Sequence, residues 1–192
     1  MKTIFEQGYF NSYSKDRLVE ARSTILKHSM YGERKTTVFI SHKHDDLEDL
    51  KGILGFLEKN YNVNVYIDSQ DPEMPPITSA ETAFNIRRRI KDCDKFILLA
   101  TNAAIESKWC NWELGYGDAQ KYKEHIAMFP MKPKGTYDTA YKGTEYMSIY
   151  PHVAYFDGSE KPVNGKNVLP GYYVLETGTN NLKPLGDWLG VR

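Results

Sequence analysis

The stretch "TTVFISHKHDD", Thr36 to Asp46, sets the frame for the whole chain. Its first half is short, β-branched and aromatic, the composition of a buried strand. It turns polar at Ser41 and then acidic, and Asp45 with Glu48 has the spacing of a capping box. The helix so capped is "DDLEDLKGILGFLEKNY" (45–61), with Leu47, Leu50, Leu54 and Leu57 on one face. A strand running directly into an amphipathic helix is the first half of a parallel β–α–β unit, and the pattern then repeats. "VNVYID" (63–68) reads as a second strand and "TSAETAFNIRRRIKDC" (78–93) as a second helix. Thr78 and Glu81 cap that helix, and Ala83, Ile86, Ile90 and Cys93 fall at core spacing. "KFILLAT" (95–101), "HIAMFP" (125–130) and "HVAYFD" (152–157) are the remaining strands. The expected fold class is α/β, a flavodoxin-like five-stranded parallel sheet of order 2-1-3-4-5 with right-handed crossovers.

Both flanks of this pattern read differently. "KDRLVEARSTILKHS" (15–29) has amphipathic helical spacing, so residues 1–35 are expected to form an N-terminal helical extension to a domain spanning 36–192. From residue 131 onward helical periodicity is weak, and the segment holds seven of the 14 tyrosines and eight of the 14 glycines. It is expected to be an irregular C-terminal segment holding the last strand and a short closing helix at "LGDWLG".

Composition narrows the function classes. The 192 residues are 41% hydrophobic and 26% charged with zero formal net charge, ordinary for a soluble globular protein. Nucleic-acid and acidic-membrane partners are not expected, because the long-range attraction they need is absent. The basic run "RRRIK" (87–91) reads as the solvated side of a helix. Two cysteines, Cys93 and Cys110, make neither a disulfide framework nor a metal-binding spacing. The start "MKTIFEQGYF" lacks the apolar core of a signal peptide, and no apolar run approaches the ~20 residues that span a bilayer, so a cytoplasmic location is expected.

In an open α/β sheet, ligands bind beyond the carboxyl ends of the strands where strand order reverses. For order 2-1-3-4-5 the crevice lies between the first and third strands, bringing "SHKHDD" (41–46) against "TNAAIESKWCNWE" (101–113). With Ser107 as N-cap, Glu113 lies in the second turn of a helix, and Trp109, four residues earlier, shares its face. An aromatic surface beside one carboxylate suits a planar base joined to a sugar. Breaking an N-glycosidic bond builds positive charge at the anomeric carbon, which a fixed anion stabilises. A pyridinium leaves as a neutral molecule, so no general acid is needed. The competing reading is a surface glutamate beside a core tryptophan.

"HKHDD" (42–46) lacks the further ligand that would complete a metal site, so no metal is expected. Asp45 is read as a helix cap, His44 as solvated, Cys110 as packing, and "GYGD" (115–118) as helix interior rather than a phosphate loop.

Three pieces in order, "TTVFISHKHDD", "VYIDSQDPEMPP" and "SKWCNWEL", resemble the characteristic segments of Toll/interleukin-1 receptor (TIR) domains of the bacterial enzymatic type over roughly residues 36 to 130. The resemblance implies an NAD-cleaving enzyme that releases nicotinamide and forms ADP-ribose or a cyclic ADP-ribose isomer, a signal in antiphage defence that activates a separate effector protein. It implies Glu113 as the catalytic residue, with Trp109, Ser41, His42 and Lys43 binding substrate. NAD is then the substrate, and no cofactor is expected. It also implies self-association through the loop at 69–77, by which a neighbouring copy helps complete the site. That loop lacks the glycine that often follows its proline. Two alternatives stay open: a non-catalytic TIR adaptor working by self-association, and a nucleoside deoxyribosyltransferase, which "ELGYGDA" (113–119) resembles.

Overall fold

The computed structural model describes residues 1–14, 35–67, 79–160, 167–176, 178–179 and 181–191. The amphipathic stretch at 15–29 and the loop at 69–77 lie outside the described residues. In chain order the elements are β1 (Phe5–Glu6), β2 (Thr37–Ser41), α1 (Leu47–Tyr61), β3 (Asn64–Tyr66), α2 (Ala80–Asp92), β4 (Lys95–Ala100), α3 (Asn102–Glu106), α4 (Lys108–Gln120), β5 (Ile126–Lys132), α5 (Thr144–Ile149), β6 (His152–Phe156), β7 (Gly171–Glu176), β8 (Asn181–Pro184) and α6 (Leu185–Leu189).

Strands β2 to β6 are parallel and lie in the order β3-β2-β4-β5-β6, the 2-1-3-4-5 order expected from the sequence. Alternation along β2 decides which helix covers which face. Val38 and Ile40 join a core beneath α1 with Leu50, Ile53 and Leu57. Phe39 joins the opposite core with Ile86 and Ile90 of α2 and Cys110 and Leu114 of α4. The α2 cap is Ser79, whose side chain pairs reciprocally with Thr82, one residue on from the pair expected at Thr78 and Glu81.

The sheet continues past β6. β7 pairs antiparallel with β6 along its whole length, and β8 pairs antiparallel with β7. The C-terminal segment is therefore more regular than the sequence suggested. Of the "GYYVLE" residues only Val174 is buried.

The first fourteen residues also differ from the extension read from the sequence. β5 and β6 meet only at Met128 and His152, and then diverge. β1 fills the fork, pairing parallel with β5 at Phe5–Met131 and Glu6–Lys132. Lys2 exchanges two backbone hydrogen bonds with Tyr155 on the other side, at 2.7 and 2.8 Å. Phe5 and Phe10 are buried in an aromatic cluster, with ring centroids 5.4 Å from Phe5 to Phe129 and 4.8 Å from Phe10 to Phe56. A two-residue strand has no periodicity to read, so no local pattern separates this segment from residues 15–35.

The segment then crosses α1 at a distance that only glycine allows. A Cβ on Gly52 would lie 2.8 Å from the Phe10 carbonyl oxygen, and one on Gly55 would lie 1.9 Å from that of Tyr13. Alanine at a helix-interior glycine ordinarily stabilises by about 1 kcal/mol. Here the clash is with backbone, and overpacking costs roughly 1–3 kcal/mol. Gly55→Ala should therefore lower the melting temperature by a few degrees, read by circular dichroism. A raised melting temperature would contradict this packing.

Candidate active site

Ser41 is the last residue of β2, and strand alternation points it to the same side as Phe39, under α4. Two short caps turn the chain back over this end of the sheet. Thr101, just past β4, accepts a hydrogen bond from the Ala104 amide at 3.0 Å and starts α3. Ser107 accepts one from the Cys110 amide at 3.3 Å and starts α4, the cap expected from the sequence. α4 then lies close on the sheet, because a Cβ on Gly117 would be 3.1 Å from the Phe96 ring. Phe96 in turn stacks on Phe39, with centroids 5.5 Å apart and planes within 13°.

Glu113 lies one turn before Gly117 and so shares its sheet-facing side. The Ser41 hydroxyl donates to Glu113 Oε2 at 2.5 Å. Ser41 is 1% exposed and Glu113 2%, so this is a buried contact at the switch point rather than a surface encounter. Trp109 is half-buried at the start of the same helix, with its ring centroid 4.9 Å from that of Trp112. Tyr116 continues the series, 6.2 Å from Trp112 and nearly parallel to it. The aromatic spacing 109, 112, 116 was the available signal for this ladder along one flank of α4.

The turn after Ser41 is a 3-10 turn, His44–Asp46, leading into α1. His42 is buried with Nδ1 3.4 Å from the Ile40 carbonyl oxygen. Lys43 is half-buried, while His44 and Asp45 are exposed. The capping box expected from Asp45 and Glu48 does not form. Asp46 immediately precedes α1, and its side chain makes no cap bond. Its carboxylate instead accepts from the Thr101 hydroxyl at 2.6 Å, and from Gln7 Nε2 at 3.5 Å. Asp49 accepts from the Gly8 amide at 2.6 Å and from Gln7 Nε2 at 3.1 Å. Burial raises the Asp46 pKa above the ordinary carboxylate value, opposed by the Thr101 hydrogen bond. The negative charge of Asp49 adds to the rise, and His42 opposes it. Gln7, Asp46 and Thr101 border the site and were not singled out as site residues from the sequence.

Among the described residues no three His, Cys, Asp or Glu side chains converge in a metal-binding arrangement. Nor is any helix among them long and apolar enough to cross a membrane.

With this geometry in place, the sequence also matches the TIR domain family over residues 38–161. The chain belongs to the TIR domain family. This TIR domain is also similar to a Bacillus cereus (strain MSX-D12) protein named "Probable 3' cyclic ADP-D-ribose synthase ThsB'". The two are 31% identical over 157 residues, covering 80% of this chain and 77% of the relative.

The Ser41–Glu113 contact can be measured as a coupling energy. Ser41→Ala removes a hydrogen-bond donor from a buried carboxylate, and a hydrogen bond to a charged acceptor is worth about 1.5–3 kcal/mol. In a Glu113→Gln background the same substitution should cost distinctly less. Urea denaturation of the four proteins in this cycle should give a coupling of about 1 kcal/mol or more. Additive effects would contradict the contact.

Proposed function

We propose that this TIR domain cleaves the N-glycosidic bond between nicotinamide and ribose in NAD. The observation that carries this reading is the buried Glu113 carboxylate meeting Ser41 at the carboxyl-end crevice, one helical turn from the half-exposed Trp109 ring. In the proposed reaction the bond from the ribose anomeric carbon to the pyridinium nitrogen breaks with its electron pair going to nitrogen. Nicotinamide then leaves uncharged. The ribose carbon becomes oxocarbenium-like, and the Glu113 carboxylate stabilises that charge as it develops. The Ser41 hydroxyl fixes the carboxylate's rotamer, so little reorganisation accompanies the reaction. Trp109 offers a face for a base of the dinucleotide, and His42 and Lys43 are assigned to its ribose or phosphates.

The cation is quenched by a water or by a hydroxyl of the same ADP-ribose, either of which gives up a proton. The first route yields ADP-ribose and the second a cyclic isomer. The name of the Bacillus cereus relative supports the cyclic route for this chain. A cyclic product would serve as a diffusible signal, with antiphage defence and activation of a separate effector as the proposed setting.

Nicotinamide release from NAD by the purified chain, with mass spectrometry of the second product, tests the reading. Glu113→Gln preserves shape but removes the charge, and loss of one such electrostatic element costs roughly 3 kcal/mol, or over a hundredfold in turnover. A folded Glu113→Gln protein should release almost no nicotinamide. Near-parental turnover would overturn the assignment.

Self-association through residues 69–77 is a further part of the proposal. Turnover per chain should then rise with protein concentration across a dilution series. Replacing Pro75 and Pro76 by glycine should blunt that rise. A flat profile for parent and variant alike would remove assembly from the mechanism.

A further inference from the structure

We propose that Gln7, Asp46 and Thr101 form a clasp that positions the catalytic pair, which makes the N-terminal segment a working part of the site. This rests on the NAD-cleaving reading given above. The site is built from two chain segments, the turn leaving β2 and the segment leaving β4. Two side-chain hydrogen bonds join them across the crevice. One is Ser41 to Glu113 at 2.5 Å, and the other is Thr101 to Asp46 at 2.6 Å. The chain itself closes the ring, running from Ser41 through the 3-10 turn to Asp46, and from Thr101 through α3 and the first turns of α4 to Glu113.

Three observations set this second link apart from ordinary packing. Asp46 precedes a fifteen-residue helix at the position where a side chain normally caps, yet makes no cap bond. Its acceptor capacity is directed across the crevice instead. Asp46 is 6% exposed and Thr101 1%, so the link is shielded from water, which would otherwise compete for both groups. Finally, a third segment holds the arrangement from outside. Gln7 Nε2 donates to both Asp46 and Asp49, and the Gly8 amide donates to Asp49. Gln7 and Gly8 are in turn fixed by β1, which sits in the fork between β5 and β6. The N-terminal segment therefore presses on the Ser41–Asp46 turn through hydrogen bonds whose far end is anchored in the sheet.

Gln7, Asp46 and Thr101 are positioning residues, acting on the reaction through Ser41 and Glu113. Slackening the turn lets Ser41 and Glu113 leave their fixed relation, and small misplacements of this kind reduce turnover more than substrate affinity. The test compares Thr101→Val, Thr101→Ser and Gln7→Ala with the parent chain, at a temperature where all are folded. Two readouts are taken: steady-state nicotinamide release from NAD, and amide hydrogen exchange resolved along the chain. Thr101→Val should lower kcat by about tenfold with KM changed less than about twofold. Gln7→Ala should lower kcat by about threefold. In both, exchange should quicken at residues 42–46 while the amides of β4 and β5 keep the parent's protection. Thr101→Ser restores the hydroxyl and should restore both readouts. Unchanged kcat in Thr101→Val and Gln7→Ala would overturn the clasp. Exchange quickened uniformly over the chain would also overturn it, because that reports global stability alone. If the parent releases no nicotinamide, the NAD-cleaving reading fails, and exchange at residues 42–46 by itself decides whether the clasp exists.

Discussion

β2 is hydrogen-bonded along both edges to parallel strands that come later in the sequence, β3 on one side and β4 on the other. With right-handed crossovers, that constraint sends α1 over one face of the sheet and α2 over the other. The chain leaves the carboxyl ends of β2 and β4 in opposite directions, and a crevice opens between the two exits. Everything placed there depends on this. Alternation along β2 aims Ser41 at the α4 face, and the Phe39–Phe96 stack beneath Gly117 sets how closely α4 approaches. The buried Ser41–Glu113 contact is the outcome. Had β2 been an edge strand, the same residues would have met solvent.

The N-terminal segment shows how tertiary structure reuses groups whose local role is plain. Gly52 and Gly55 weaken α1 as an isolated helix, yet they admit the backbone of Phe10 and Tyr13 to within contact of it. Asp46 stands where a helix cap belongs and bonds Thr101 instead. Each departs from the locally favoured choice, and each departure serves the same seam between residues 1–14 and the rim of the sheet.

The parallel strands and their order were legible because each strand is a short apolar run bounded by turn residues, with a helix of clear periodicity beside it. That the segment after β2 (41–46) lies against the segment carrying Trp109 and Glu113 followed from topology, since the switch point fixes which two chain exits must meet. The particular hydrogen bond from Ser41 to Glu113 came only from the structure. β1 was not legible, being two residues long and placed by a fork in the sheet that no local pattern encodes. β7 was missed because its short run Tyr172 to Leu175 lies in a tyrosine- and glycine-rich stretch with no helix of clear periodicity beside it. The Gln7–Asp46–Thr101 link was hidden for a different reason. An aspartate before a helix has a sufficient local explanation, and only the fold shows that this one is used elsewhere. The glycine spacing in α1 was the one trace in the sequence of a backbone crossing that helix.

The central claim is that the anomeric carbon of a bound NAD lies against Glu113 in this crevice. A crystal structure with a non-cleavable carbocyclic NAD analogue tests it most directly. The carbon replacing the anomeric centre should lie within about 3.5 Å of the Glu113 carboxylate, with one base of the analogue against the Trp109 ring. An analogue bound away from the Ser41–Glu113 pair would contradict it.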